Sequence, residues 1–181
     1  MQAPYARSHA LTIILGTTSE QIMCPTIGVV QLNESSGFGE LKSLIKQNPT
    51  SQFGAGAEET EIAEAQTTIG RLPDDYVKFV REFGWLAIDH YGIFGLGLNV
   101  PNHLDLRFMT LDERENYGLP CHRIPIMNDG GGSPYSFDVQ IDSATAGVVL
   151  WDHDASSTGH QFRVASSFTD GCLDYSCEGA R

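Results

Sequence analysis

The chain has 181 residues, 41% of them hydrophobic and 19% charged, so a single domain with its own apolar core is expected. That composition excludes collagen-like, coiled-coil and wholly disordered chains. Twenty-three acidic against 11 basic residues leave a net charge of −12, which argues against nucleic-acid binding, where affinity rests on neutralising phosphates. The imbalance is lopsided: residues 1–57 carry three acids (Glu20, Glu34, Glu40) and three bases (Arg7, Lys42, Lys46), and everything beyond carries the whole excess. An acidic body of this kind attracts a basic partner at long range, most strongly at low salt.

No run of about 18 apolar residues exists to span a membrane. The N-terminal stretch has only a five-residue apolar core, Leu11 to Leu15, short of a secretory segment; a cytoplasmic location is expected. Cys24, Cys121, Cys172 and Cys177 lack CxxC spacing, so reduced, inert thiols are expected and a zinc site is not.

Residues 1–35 read as a loosely ordered extension, with one candidate strand at Ile27–Leu32 and Met23 as an alternative start. A helix is predicted over Gly39–Gln47, stopped by Asn48-Pro49, and Thr50–Ala57 reads as a linker. Glu58–Ile69 forms the next predicted helix, acidic at its start and closed by Gly70. Leu72-Pro73 opens another, in which Tyr76, Phe79, Val80 and Phe83 stand at i, i+3, i+4 and i+7, the spacing of a buried stripe.

Two short strands follow, Trp85–His90 and Gly92–Leu98, with a turn at Tyr91-Gly92. Leu104–Tyr117 is predicted to hold a helix, with Leu104, Phe108 and Leu111 at helical steps. Arg123–Met127 reads as a strand whose Pro125 demands an edge or a bulge. Beyond the Asp129–Pro134 turn come strands Tyr135–Val139, Val148–Trp151 and Gln161–Ala165, then a closing helix Phe168–Tyr175. This order predicts an α+β fold: one domain, residues 36–181, with helices flanking a mainly antiparallel sheet.

Four stretches in this order resemble the SUKH superfamily, which includes fungal regulators of cell-wall glucan synthesis and bacterial immunity proteins. They are IAEAQTTIGRLPDDYVKFVREFG at 62–84, GIFGLG at 92–97, RIPIMNDGGGSPYSFD at 123–138 and GVVLWDHD at 147–154, followed by Phe168. The sequence departs from the family pattern at Phe83-Gly84, where Asn-Gly is common, and at Gly132-Ser133, where Gly-Asp is common. The resemblance implies a non-catalytic antidote that binds and blocks a cognate toxin domain, of nuclease or deaminase type. An acidic surface suits that role, since a nuclease surface is basic.

Asp152-His153-Asp154 is the most metal-like cluster. Strand alternation puts the two carboxylates on one face and His153 on the other, so three ligands do not converge. Asp89-His90 has no accompanying nucleophile motif. Asp129–Gly132 lacks the GxxxxGK[ST] pattern of a phosphate loop, and Ser133 lacks GxSxG. Asp112-Glu113-Arg114-Glu115 reads as a solvated helix face and a contact for a basic partner, whereas Trp85 and Trp151 read as core. The expected docking residues are Asp89, Asp112, Glu113, Glu115, Asp152 and Asp154, with no catalytic residue, metal or cofactor. The alternatives are a regulatory scaffold in cell-wall or signalling complexes, and a metal-dependent hydrolase built on Asp152, His153 and Asp154.

Overall fold

A computed structural model describes residues 34–128, 132–139, 146–152 and 161–178; the candidate strand Ile27–Leu32 lies outside them. The chain begins with α1 (Glu34–Gln47), a two-residue strand β1 (Gln52–Phe53), α2 (Glu59–Ile69) and α3 (Asp74–Phe83). Then come β2 (Leu86–Ile88), β3 (Tyr91–Ile93), a 3-10 turn at Asn102–Leu104 and α4 (Leu106–Asn116). A meander β4 (Arg123–Asn128), β5 (Pro134–Asp138), β6 (Val148–Trp151) and β7 (Gln161–Ala165) leads into α5 (Phe168–Glu178). Both sheets are antiparallel, in the orders β1-β2-β3 and β4-β5-β6-β7. The fold is α+β, as the element order predicts.

The centre is α3. Pro73 precedes its first turn in an extended conformation and frees no donor, while Asp74 and Asp75 face the positive end of its dipole. Its stripe Tyr76, Phe79, Val80 and Phe83 is fully buried. The Tyr76 ring stands edge-on to Phe137 of β5 at 5.1 Å and to Phe168 of α5 at 5.0 Å, and Phe79 lies 5.0 Å from Phe168. The Tyr76 hydroxyl donates to the Phe94 carbonyl at 2.6 Å, which satisfies the one polar atom that this packing buries. The Phe94 N–H in turn donates to the Ile126 carbonyl at 2.7 Å, stitching the chain after β3 to β4.

Four sequence expectations are corrected. Thr50–Ala57 is no linker: β1 pairs with β2, and Ala57 N–H donates to the Val80 carbonyl at 2.9 Å. The turn between β2 and β3 falls at Asp89-His90, one pair earlier than expected, with Asp89 at φ 53. The strand expected to run on to Leu98 stops at Ile93, because the backbone past it is committed elsewhere: Leu96 N–H donates to Gly84 and Gly95 N–H to Leu104. Gly95 lies so close to the Gly84 carbonyl oxygen that a β-carbon would collide with it, and that approach requires glycine. Helix α1 starts five residues before the predicted Gly39. Pro125 does sit on an edge strand, at a register shift between Pro125 and Met127.

Helix α5 is capped from outside its own segment. Asp75, in the first turn of α3, accepts from the Thr169 N–H at 3.1 Å and from the Phe168 N–H. One carboxylate thus serves the donors that a helix leaves unpaired at its start. Burial outweighs these bonds and raises the Asp75 pKa above its ordinary 3.8. The folded state therefore holds this proton more tightly than the unfolded chain. That contribution to stability is complete below about pH 3.8 and is lost as pH climbs through the raised value. Asp75→Asn carries no such proton. Urea unfolding from pH 3 to pH 7 should show the stability gap between wild type and Asp75→Asn shifting in the variant's favour as pH rises. A gap that stays flat across that range contradicts the assignment.

Candidate functional site

Helix α4 begins where Asp105 accepts from the Arg107 and Phe108 N–H groups at 2.9 and 3.0 Å, an N-cap that fixes the helical register. Leu104 belongs to the preceding 3-10 turn, so the helical steps Leu104–Phe108–Leu111 are broken at the cap. The face turned inward is Leu106, Thr110 and Glu113, with the Thr110 hydroxyl donating to the Leu106 carbonyl at 2.6 Å. The opposite face carries Phe108, 56% exposed, and Leu111, 46% exposed. Asp112 and Glu115 complete it at i+4 and i+7 from Phe108, so the four side chains share an arc of roughly 100°.

The two arginines of α4 leave this stripe acidic. Arg114 bends back, and its Nη2 donates to the carbonyls of Ile69 at 2.8 Å, Cys121 at 2.7 Å and Arg123 at 2.9 Å. It thereby satisfies the last turn of α2 and ties it to the start of β4; burial lowers its pKa. Arg107 lies 3.8 Å from both Asp105 and Glu64. What remains is a pair of exposed apolar side chains beside Asp112, half-buried and accepting from Asn116 at 2.7 Å, and the exposed Glu115. Aromatic or aliphatic anchors rimmed by charge are the usual makeup of a protein-docking patch.

The predicted docking residues do not form one site. Asp112 and Glu115 come together on α4. Glu113, between them in sequence, is only 5% exposed and faces the core, because residues one apart on a helix point some 100° apart. Asp89 is exposed in the β2–β3 turn, and Asp152 is half-buried just past β6. Asp154 and His153 lie outside the described residues. Among the described residues no three His, Cys, Asp or Glu side chains converge as a metal-binding set. Trp85 and Trp151 are only half-buried, each with its indole N–H buried and, among the described residues, without an acceptor. Phe108 and Leu111 are the docking candidates that the sequence did not single out; the Asp105 cap was the signal for the phase that exposes them.

A family model described as the SMI1 / KNR4 family (SUKH-1) matches residues 56–172, from the loop before α2 into α5. The chain belongs to this family. All four stretches singled out by resemblance fall inside the matched SUKH-1 span, which also takes in α4 and both sheets except β1. No curated protein matches the chain. Within this SUKH-1 domain the GIFGLG stretch has a structural role: Gly95 admits the Gly84 backbone, and Phe94 receives the Tyr76 hydroxyl. Among the described residues no helix is long and apolar enough to cross a membrane.

The stripe makes a stability prediction. Phe108→Ser and Leu111→Ser should each leave unfolding free energy within about 0.5 kcal/mol of wild type, because neither side chain is packed. Arg114→Ala strips three carbonyls of a charged donor and should cost about 1.5–3 kcal/mol. Urea denaturation of the three variants reads both effects.

Proposed function

We propose that this SUKH-1 domain is a non-catalytic binding protein of the immunity type, which neutralises a cognate basic toxin domain by docking through α4. Family membership is consistent with immunity and regulatory roles. The observation that carries the docking reading is the stripe of exposed Phe108, Leu111 and Glu115 with half-buried Asp112, stripped of cations by the engagement of Arg107 and Arg114. The net charge of −12 would steer a cationic partner toward the domain, while the two apolar side chains would supply the anchors that persist after docking. A cytoplasmic location belongs to the same reading.

Co-expression with the C-terminal domain of a large secreted protein encoded alongside the chain tests the role. Wild type should restore viability and co-purify with that domain. The double variant Asp112→Lys/Glu115→Lys should slow association about tenfold at low salt and flatten its salt dependence. Phe108→Ala should chiefly speed dissociation. Full rescue and unchanged rates in both variants would remove α4 from the interface.

A further inference from the structure

Between the two sheets, under α1 and α5, lies a cavity of about 470 Å³. Its interior is apolar: Leu41, Ile45, Leu86, Ile126, Val148 and Phe168 line it, none more than 4% exposed. Its rim is polar and reaches solvent at Asp89, Tyr91 and Asn48. A space of this size with an apolar wall and a few orienting polar groups has the dimensions of a small-molecule site.

The rim sets the chemistry. Asp89 is the one charged residue among the described lining residues, and its carboxylate has no hydrogen bond or ion pair among the described residues. The turn holds it at φ 53, a conformation uncommon for a residue with a β-carbon. An anionic ligand would meet this carboxylate at the mouth of the cavity and be repelled, and a neutral one would gain no charge pairing. A cation gains a charge-assisted bond. The Tyr91 ring stands on the same rim, 4.1 Å from the His90 ring. Cys172 also lines the cavity, and burial pushes its thiol pKa up.

We propose that the cavity between the sheets binds a small organic cation with an apolar tail, the tail lying among Leu41, Ile45 and Phe168 and the head paired with Asp89. This site is separate from α4 and stands or falls independently of the docking reading.

Octylammonium, 1-octanol and octanoate, each below its micelle-forming concentration, are the probes, titrated into the full chain by calorimetry and thermal unfolding. Octylammonium should bind saturably, about tenfold tighter than octanol, the equivalent of one charge-assisted contact, with octanoate weakest. Asp89→Asn should bring octylammonium down to the octanol value. Val164→Trp, at the exposed margin of the cavity on β7, should weaken octylammonium and octanol together while leaving the unliganded melting temperature close to wild type. Equal affinity for the three probes, or an Asp89→Asn variant that binds octylammonium as wild type does, overturns the proposal as mere apolar partition. Absence of saturable binding by octylammonium overturns it too, and leaves the cavity to a partner's side chain.

Discussion

The structure depends on one residue that is both aromatic and polar. Tyr76 brings α3, β5 and α5 together through its ring and reaches the chain after β3 through its hydroxyl. Phenylalanine would supply the same packing but leave the Phe94 carbonyl without its donor. A smaller polar residue would make the bond but vacate the space between Phe137 and Phe168. Burial raises the Tyr76 pKa well above its ordinary range, so the hydroxyl remains a donor throughout the pH range in which the domain is folded. The two sheets are linked by backbone and hydroxyl bonds at this point.

A second constraint concerns helix ends. Helix α5 has its first N–H groups served by Asp75 from α3, and the last turn of α2 has a carbonyl served by Arg114 from α4. Each bond adds a tertiary cap to a local one, since Ser167 Oγ accepts from the Asp170 N–H at the start of α5 and the Gly70 N–H donates to the Gln66 carbonyl at the end of α2. Both groups also give up water for these bonds, which is visible in the raised Asp75 and lowered Arg114 pKa values. The surface pairs behave differently. Glu82 lies between Lys42 and Lys46 of α1, and Arg81 meets Glu59 across α2 and α3. These are largely solvated contacts of the sort that contribute little to stability.

Periodicity revealed most of the scaffold. The stripe on α3, the strands Val148–Trp151 and Gln161–Ala165, and the edge position of Pro125 were all legible, because each is fixed by local pattern. The linker that proved to be β1 was not: two residues pair across the sequence with β2, and nothing local marks them. The phase of α4 was not legible for an instructive reason. Counting apolar residues from Leu104 assumes that the helix has already begun there, whereas Asp105 starts it one residue later. The true inward face, Leu106, Thr110 and Glu113, mixes polarity in a way that no hydrophobic count detects. Side-chain engagement is likewise invisible in sequence: nothing in Asp112-Glu113-Arg114-Glu115 says that its arginine turns away to three carbonyls.

That engagement bears on how an acidic protein can be selective. A net charge of −12 spread over a surface attracts any cation and marks no particular face. A face is defined when cations that would neutralise it locally are withdrawn and apolar side chains are left beside the carboxylates. On α4 the withdrawal follows from the fold itself, since Arg114 is needed by the ends of α2 and the start of β4, and Arg107 lies beside Asp105 at the cap. Exposed Phe108 and Leu111 add nothing to the core, and a single exposed apolar residue would call for no explanation. Two on one stripe, flanked by carboxylates whose neighbouring arginines are occupied, make a local address within a general field. The long-range field would govern the rate of encounter and the stripe the lifetime of the complex, so the two contributions are separable by salt.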